Sequence, residues 1–288
     1  PSMYIGTNHV DWAFLMTVDL FNNVYVFGHI GTTSPGFLIS TAGTYSTNSV
    51  NSLYKLNSSL STIGFKTLFG PNPTQSYRPE LHASAFKVDS CGNIYLAGTA
   101  WIGHPTTPDK FQSFSGGGGT DMYMIVFNPN CSSVRFASYY GANVFPPTGL
   151  SAVGEQSWGI SDIDERGILY LAVSASENLP TTPGAYYSSY NDTVTAARIY
   201  NDAFLKVDLG TFVNANSSYG ANIIGCPAPF TASFVSTTNT GSTYWDFGDG
   251  NTSIQDTISH TYLNAGTYNV LLVVTDTTTC NRTDSIKS

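Results

Sequence analysis

The feature of this sequence that most constrains its fold is a tandem repeat. Residues 18–28 (VDLFNNVYVFG), 88–98 (VDSCGNIYLAG) and 163–173 (IDERGILYLAV) align without gaps, at spacings of 70 and 75 residues. Each copy predicts a short strand, a turn that begins at an aspartate and a second strand with alternating apolar residues. Because long, regular periods are typical of repeat architectures, we expect the chain to contain several copies of one structural unit.

A second shared element follows each copy. Residues 51–59, 120–133 and 201–210 predict strands that end in a turn, and each leads to a last strand that closes on residues 67–70, 138–142 or 217–221. One unit is therefore four antiparallel strands, and such units in tandem are typical of a β-propeller. Propellers have roughly 4–8 blades, so three units do not close a ring. An open propeller would expose apolar flanks, so we expect either that more blades precede Pro1 or that another chain completes the stack of sheets.

The connection between the second and third strands carries its own repeated motif. Residues 105–108 and 180–183 both read Pro-Thr-Thr-Pro, whereas the first unit reads SPGFLISTAGTYS at residues 34–46, a decayed version. The prolines fix φ and lack an N–H donor, so the loop is expected to stay out of a ladder and to bridge the rim of a blade. Phe111 or Tyr186 would fill the space between blades. A ligand loop is the alternative, although a binding site does not need the same loop on two blades.

Composition supports sheets and limits the partners. Aromatic residues make up 14% and charged residues 10% of the chain, against about 25% charged residues in average globular proteins. A net charge of −8 argues against nucleic acid and anionic membranes as partners. No apolar stretch approaches the ~20 residues of a membrane span, so no membrane insertion is expected. The chain starts at Pro1 without a signal peptide, which suggests the mature, trimmed part of a longer protein.

The repeats resemble a known family. The pattern of Asp, Gly-Asn, Tyr and Ala-Gly, then Pro-Thr-Thr-Pro, then Tyr-Tyr-Gly, resembles the SBBP-type seven-bladed propeller repeat of secreted bacterial proteins, over residues 10–222. The third copy departs from it at Val173, where the family has glycine. This resemblance implies a partial β-propeller of about three four-stranded blades, which we assign to residues 1–224.

The pattern of predicted strands changes near the C-terminus of the sequence. Residues 226–276 predict short strands of a small sandwich, with Trp245 and Phe247 on the core face and a hairpin turn at residues 249–250. The block YWDFGDG…HTY..AGTYNVLLVVTD resembles the PKD domain, an immunoglobulin-like module of extracellular proteins that usually acts as a spacer or adhesion module. We assign residues 225–288 to this β-sandwich, so the expected fold class is all-β.

Two residues of the last long strand depart from the PKD pattern. The family commonly has threonine at the outward positions where this chain has Leu271 and Val273. We interpret these two side chains as a contact face for another domain or a partner. The alternative is an ordinary apolar surface, because single exposed Leu and Val residues are normal.

Four cysteines in an extracellular type of sequence are expected to pair. Cys91 and Cys131 lie in two turns that share one edge of the middle blade, and neither neighbouring unit has cysteine there. Cys226 and Cys280 bracket the second domain. The predicted disulfides are therefore Cys91–Cys131 and Cys226–Cys280. Metal binding is the weaker alternative, because no CxxC pair or histidine cluster accompanies any of the four.

No constellation typical of catalysis is found. The five histidines are scattered, and the sequence has no nucleophile elbow, P-loop or dinucleotide fingerprint. His260 lies in the HTY segment, where a structural role is expected. The glycine-rich residues 115–121 precede a strand, so they lack the helix N-terminus that holds a phosphate. We therefore predict no catalytic site and no cofactor.

Two segments place carboxylates close together, as calcium prefers: residues 162–167 and 246–251. The calcium candidates are Asp162, Asp164, Asp246 and Asp249. Arg166 stands where a ligand is expected, and turns use aspartate for hydrogen bonds anyway, so the turn interpretation competes. Four Asp-Ser/Thr sequences also resemble the O-glycosylation motif of secreted Bacteroidota proteins, and their acceptors are Thr193, Thr257, Thr277 and Ser285.

The order of propeller and PKD domain resembles large cell-surface proteins of Bacteroidota, which often use type IX secretion and are linked to gliding, adhesion or polymer handling. We therefore expect a non-enzymatic extracellular or cell-surface module that makes protein or glycan contacts. Its partners would be other domains of the same large protein or surface proteins. One alternative is an accessory region of a secreted hydrolase. Another is a subunit of a self-assembling fibre, in which neighbouring chains cover the open propeller flanks.

Overall fold

The computed structural model of the chain consists of β-strands, as the alternating apolar residues predict. It describes residues 2–5, 11–31, 40–47, 49–72, 80–115, 120–141, 161–164, 167–175, 179–185, 201–210, 212–213, 215–219, 227–238 and 240–287. Within these ranges there is no helix, and accordingly none that could cross a membrane. The all-β class is confirmed. The chain forms two compact units, Pro1–Leu209 and Gly210–Ser288.

Each of the first two repeat copies forms one antiparallel sheet of four strands in chain order. The first sheet contains β1 (Asp11–Val18), β2 (Val24–Ile30), β3 (Asn51–Leu56) and β4 (Ile63–Phe69). The second contains β5 (Leu81–Val88), β6 (Ile94–Ala100), β7 (Asp121–Phe127) and β8 (Val134–Tyr140). The third copy gives a sheet in the order β11-β10-β9, formed by β9 (Asp162–Ile163), β10 (Ile168–Ala175) and β11 (Asn201–Asp208). Four antiparallel strands per unit therefore hold for the first two copies.

A β-bulge explains the glycine that ends the first two repeat copies. Both the β1–β2 and the β5–β6 pairing shift register at the equivalent place. A Cβ on Gly98 would consequently lie 2.1 Å from the carbonyl oxygen of His82, and one on Gly28 would lie 2.0 Å from that of Trp12. Close backbone approach therefore requires glycine here. In the third copy, Val173 occupies this place.

The sheets of the first unit pack face to face. One apolar core contains Tyr25 and Phe27 of the first sheet together with Leu96 of the second. A second core contains Tyr95 of the second sheet and Leu171 of the third. The two faces of the second sheet thus serve two different cores, as the two-residue period of a strand allows. The first strands of successive sheets are neighbours, since β1 lies beside β5 and β5 lies beside β9.

The second unit is a sandwich of two antiparallel sheets. One has the order β12-β13-β16, formed by β12 (Ser217–Tyr219), β13 (Phe230–Ser236) and β16 (Thr257–Tyr262). The other has the order β15-β14-β17-β18, formed by β14 (Ser242–Asp246), β15 (Thr252–Ser253), β17 (Leu271–Thr275) and β18 (Thr283–Lys287). Trp245 and Phe247 are buried in its core with Phe234, Leu272 and Val274, as predicted for the first two.

The structure shifts the domain boundary. Residues 217–221 are predicted to close the third blade, but Ser217–Tyr219 forms β12, in which Tyr219 pairs with Phe234 of β13. This segment therefore belongs to the second unit. The compact units divide between Leu209 and Gly210 instead of between residues 224 and 225, because strand pairing joins the segment to the sandwich.

Candidate functional sites

The aspartate of each repeat copy organises the turn that follows it. In the second copy, the Asp89 carboxylate accepts hydrogen bonds from the backbone N–H of Cys91 (2.9 Å) and of Asn93 (2.8 Å). It also accepts bonds from the side-chain amide of Asn93 (2.7 Å) and the hydroxyl of Tyr95 (2.9 Å). The repeated Asp, Asn and Tyr are therefore one hydrogen-bonded group, which fixes the turn and is a structural site.

The first copy repeats this group. Asp19 accepts bonds from the backbone and side chain of Asn23, the N–H of Phe21 and the hydroxyl of Tyr25. Burial acts to raise the pKa of Asp19, but the hydrogen bonds from Asn23, Phe21 and Tyr25 outweigh burial and hold that pKa below its usual value. Lys55 lies 3.6 Å from the carboxylate and adds an ion pair.

The third copy carries two of the calcium candidates. Asp164 accepts bonds from the N–H of Ile168 (2.9 Å) and the hydroxyl of Tyr170 (3.4 Å). Ile168 stands where the other copies have asparagine, so the amide bond to the carboxylate is lost. Asp162 accepts a bond of 2.7 Å from the N–H of Ile163. These carboxylates therefore act as acceptors within a turn and at a strand end.

The other two calcium candidates lie in the hairpin turn of the second unit. Asp246 accepts a bond from the N–H of Gly248, and Asp249 accepts one from the N–H of Asn251. In the ranges that the structure describes, none of the four candidate carboxylates belongs to a cluster of three metal-ligating side chains. The geometry favours the turn interpretation of Asp164, Asp246 and Asp249, whereas Asp162 lies in strand β9.

His260 packs into the sandwich as a structural residue. Its ring stacks on Phe247, with ring centres 4.1 Å apart and planes 4° apart, and meets the edge of Tyr262 at 4.6 Å. Its Nε2 lies 2.7 Å from Oδ2 of Asp249. Burial acts to raise the pKa of Asp249, but the hydrogen bonds from His260 and Asn251 lower that pKa overall. The contact ties the hairpin turn to β16.

The Pro-Thr-Thr-Pro loop is held by its second threonine. The N–H of Thr107 donates 3.0 Å to the carbonyl of Ala137 in β8, and the N–H of Ala137 donates 3.0 Å to Oγ1 of Thr107. Further along, Gln112 forms a bridge with Tyr139. As expected, residues 105–108 form no strand of the sheet, although Thr107 and Gln112 attach the loop to the edge strand β8.

The first repeat copy keeps this attachment, although it has no proline beside the equivalent threonine, Thr41. Thr41 donates its N–H to the carbonyl of Lys66, and its hydroxyl oxygen accepts from the N–H of Lys66 (3.0 Å). In the third copy, the carbonyl of Thr182 accepts a hydrogen bond from the N–H of Ala185. The carbonyl of Thr107 accepts the equivalent bond from the N–H of Lys110. The three copies therefore share the second threonine of this loop, and the loop has a structural role.

The aromatic residue after this turn has different surroundings in different copies. Tyr45 follows Thr41 at the spacing of Phe111 after Thr107, and its ring lies 6.0 Å from Phe127 of the second sheet. Tyr45 thus fills the space between two sheets. Phe111 instead contacts Phe136, at 5.6 Å, and remains half exposed. Tyr186 lies outside the described residues.

The predicted Cys91–Cys131 disulfide is wrong. Cys131 is a free, buried thiol, whereas Cys91 and Cys280 are each disulfide-bonded. The two turns do share an edge, because a Cβ on Gly92 would lie 3.1 Å from Pro129. However, the Cys131 side chain points into the core between the first and second sheets. Cys226, the predicted partner of Cys280, lies outside the described residues.

The candidate glycosylation acceptors occupy different types of structure. Thr277 is exposed in the turn between β17 and β18. Thr257 begins β16 and Ser285 lies within β18; both are exposed, but in strands where loops were expected. Thr193 lies outside the described residues. These positions leave the three described hydroxyls open to solvent.

The outer face of the sheet β15-β14-β17-β18 carries the predicted contact residues. Leu272 and Val274 point into the core, whereas Leu271 and Val273 are half buried on the opposite face. Val273 lies between Tyr244, which is exposed, and Ser285. Together, Tyr244, Leu271 and Val273 form a small surface that we call the outer patch.

A shallow groove lies along β15 and β16, which are edge strands of the two sheets of the sandwich. It has a volume of about 630 Å³ and runs between β15 and β16, with the exposed Ile254 and Leu263 among its lining residues. His260 contributes to its wall. Its lining combines apolar side chains with hydroxyl and amide groups, which suits a surface contact better than chemistry.

Comparison with known families assigns the second part of the chain. No curated protein matches the sequence. Residues 221–288 match the PKD domain family. This match supports the predicted resemblance for the C-terminal sandwich.

Proposed function

We propose that this chain is a non-enzymatic extracellular or cell-surface module. Its first unit would be part of a β-propeller of the SBBP type that serves as a platform, and its PKD domain a spacer that makes protein or glycan contacts. PKD domains are commonly extracellular adhesion or spacer modules, and a disulfide fits an oxidising compartment.

One observation carries the platform part of this proposal. Each sheet shares an apolar core with the next one, and the first strands β1, β5 and β9 lie side by side. Blades around a common axis have this relationship, because the first strand of each blade is the innermost. The repeated polar residues support a scaffold role too, since Asp89, Asn93 and Tyr95 are engaged with one another.

We place the working contacts on the outer patch of the PKD domain. An exposed tyrosine beside aliphatic side chains combines an apolar face with a hydroxyl, which suits protein or glycan partners. The test is binding of the purified chain to a glycan array and to proteins of the cell envelope of its source. Tyr244→Ala should weaken binding at least tenfold, whereas the control Thr231→Ala, at an exposed residue of the opposite sheet of the same domain, should not.

Two further measurements bear on the rest of the proposal. Protease treatment of intact cells should remove the protein if it lies outside the cell, and its survival would contradict the localisation. Sustained turnover of a polysaccharide, peptide or ester by the purified chain would contradict the non-enzymatic role. Equal binding by wild type and Tyr244→Ala would contradict the assignment of the contact to the outer patch.

A further inference from the structure

The outer face of the first sheet repeats a face that is covered in the second sheet. The repeat spacing of 70 residues relates each apolar side chain on this face of β1 and β2 to one in the second sheet that packs against the first sheet. The pairs are Met16 and Phe86, Val18 and Val88, Val24 and Ile94, and Val26 and Leu96. Val88 is 7% exposed, whereas Val18 is 52% exposed and Met16 is 70% exposed. We call this surface of β1 and β2 the leading face.

The third sheet also exposes a face whose equivalent in the second sheet is covered, and this is the face opposite in type to the leading face. Its tyrosine of the repeat, Tyr170, is 39% exposed, whereas the equivalent Tyr95 is 2% exposed against the third sheet. Phe204 pairs with Ala172 as Met124 pairs with Ala97, but Phe204 is 83% exposed and Met124 is 1% exposed. We call the surface that carries Tyr170 and Phe204 the trailing face.

The two faces are the two halves of one kind of interface. Within the first unit, the face that carries Tyr25 in the first sheet covers the face that carries Leu96 in the second. The trailing face has the Tyr25 type of pattern and the leading face has the Leu96 type. One chain therefore exposes both complementary halves of a packing arrangement that it already uses internally.

A cation contact supports this equivalence. In the first sheet, Lys55 pairs with Tyr25 and its Nζ lies 5.1 Å from the centre of the tyrosine ring. On the trailing face, Lys206 pairs with Tyr170 and its Nζ lies 5.8 Å from that ring. The trailing face thus keeps the arrangement of a face that is covered in the interior of the unit.

We propose that the leading face of one chain binds the trailing face of a second copy of this chain. The contact is head to tail, because the halves differ and each has its complement at the other end of the stack. Such a heterologous interface either closes into a ring or extends as a filament, depending on the rotation between copies. The driving force is the removal of exposed apolar side chains from water. This goes beyond the proposed function, since it requires no ligand.

Sedimentation velocity and light scattering of the oxidised chain over a range of concentrations test the proposal. Wild type should form species of two or more chains as its concentration rises. Met16→Asp disables the leading face and Phe204→Asp disables the trailing face, so each variant alone should associate at least tenfold more weakly. Both side chains are mostly exposed, so both variants should keep the circular dichroism and thermal midpoint of wild type.

Mixing the two variants separates this proposal from other modes of association. The Met16→Asp chain retains a trailing face and the Phe204→Asp chain retains a leading face, so an equimolar mixture should form a dimer of one chain of each and nothing larger. The matched control Ile102→Asp, another exposed apolar residue of the first unit, should associate like wild type.

Several outcomes would overturn the proposal. If wild type stays monomeric at all concentrations, the two faces do not bind each other and the proposal is wrong. Association that survives in Phe204→Asp but not in Met16→Asp indicates two leading faces in contact. Equal loss in Ile102→Asp indicates nonspecific association, and a mixture that stays monomeric rules out the head-to-tail contact.

Discussion

The hydroxyl of Tyr95 donates a hydrogen bond of 2.9 Å to the carboxylate of Asp89 across the turn between β5 and β6. Tyr25 and Asp19 make the same bond in the first sheet at 3.2 Å. Both tyrosines are buried in the cores between sheets, so each bond joins a turn at the sheet edge to the packing of the stack. The repeated sequence motif is therefore explained by stability.

Loss of this hydroxyl should destabilise the first unit. We expect Tyr95→Phe to lower the free energy of unfolding by about 1–2 kcal/mol, because it removes a buried bond to a carboxylate without changing the ring. Urea denaturation followed by tryptophan fluorescence measures the change. The matched control is Tyr170→Phe, since its bond to Asp164 is 3.4 Å long and the residue is partly exposed. A control as damaging as Tyr95→Phe would contradict this account.

The glycine at the bulge should tolerate no side chain. Gly98→Ala places a Cβ against the backbone carbonyl of His82, so strand β5 must move. We expect a loss of about 1–3 kcal/mol in the free energy of unfolding. The control is Gly64→Ala in β4, where the nearest atom to the new Cβ lies 3.5 Å away in a flexible lysine side chain. Equal stability of the two variants would show that the bulge adapts.

The threonine of the long connection should matter more than its prolines. Thr107→Val keeps the shape of the side chain but removes the oxygen that accepts from the N–H of Ala137. We expect a loss of about 1–2 kcal/mol and faster hydrogen exchange at the Ala137 amide. Thr106→Val, one residue earlier, is the control and should leave that amide protected. Unchanged exchange in Thr107→Val would refute the role of the hydroxyl.

The free cysteine should make the stability depend on alkaline pH. Burial raises the pKa of the Cys131 thiol to about 12, whereas an unfolded thiol titrates near 8.5. The native state therefore keeps its proton longer, so this contribution is complete below pH ~8.5 and is lost as the pH rises toward 12. The slope is at most about 1.4 kcal/mol per pH unit.

Brief denaturation experiments between pH 8 and 11 measure this effect. Cys131→Ala removes the titrating group, so its stability should fall less steeply with pH than that of wild type. Alkylation of Cys131 with iodoacetamide at pH 8, read by mass spectrometry, should require unfolding. Parallel pH curves, or rapid alkylation of the folded protein, would contradict the buried environment.

The patterns that sequence could interpret are local ones. Alternating apolar residues indicated the strands, and the position of Asp89, three residues before Gly92 and four before Asn93, indicated the turn. The PKD motif placed Trp245 and Phe247 in a core correctly. The sequence could also have predicted that Asn93 and Tyr95 bind the aspartate, because Asp, Asn and Tyr recur at the same spacing in the first copy.

The errors concern side-chain direction and distant pairing. Cys91 and Cys131 lie in adjacent turns, as expected, but Cys131 has a left-handed backbone with φ of 56° and its thiol faces the core. Residues 217–219 have the polar and aromatic pattern of a closing strand in any sheet, and their partner in β13 decides which sheet they join. Neither fact is contained in a short window of sequence.

The sequence by itself determined that this chain is all-β and that its first part repeats a unit of sheet and turn, and a motif in its C-terminal part indicated the similarity to the PKD domain family. The first two follow from residue periodicity and turn chemistry, which act over a few neighbouring residues. Tertiary structure decided which thiol is free, where the units divide, and which apolar faces stay exposed. Those depend on which surfaces meet, because burial is a property of pairs of segments far apart in the chain.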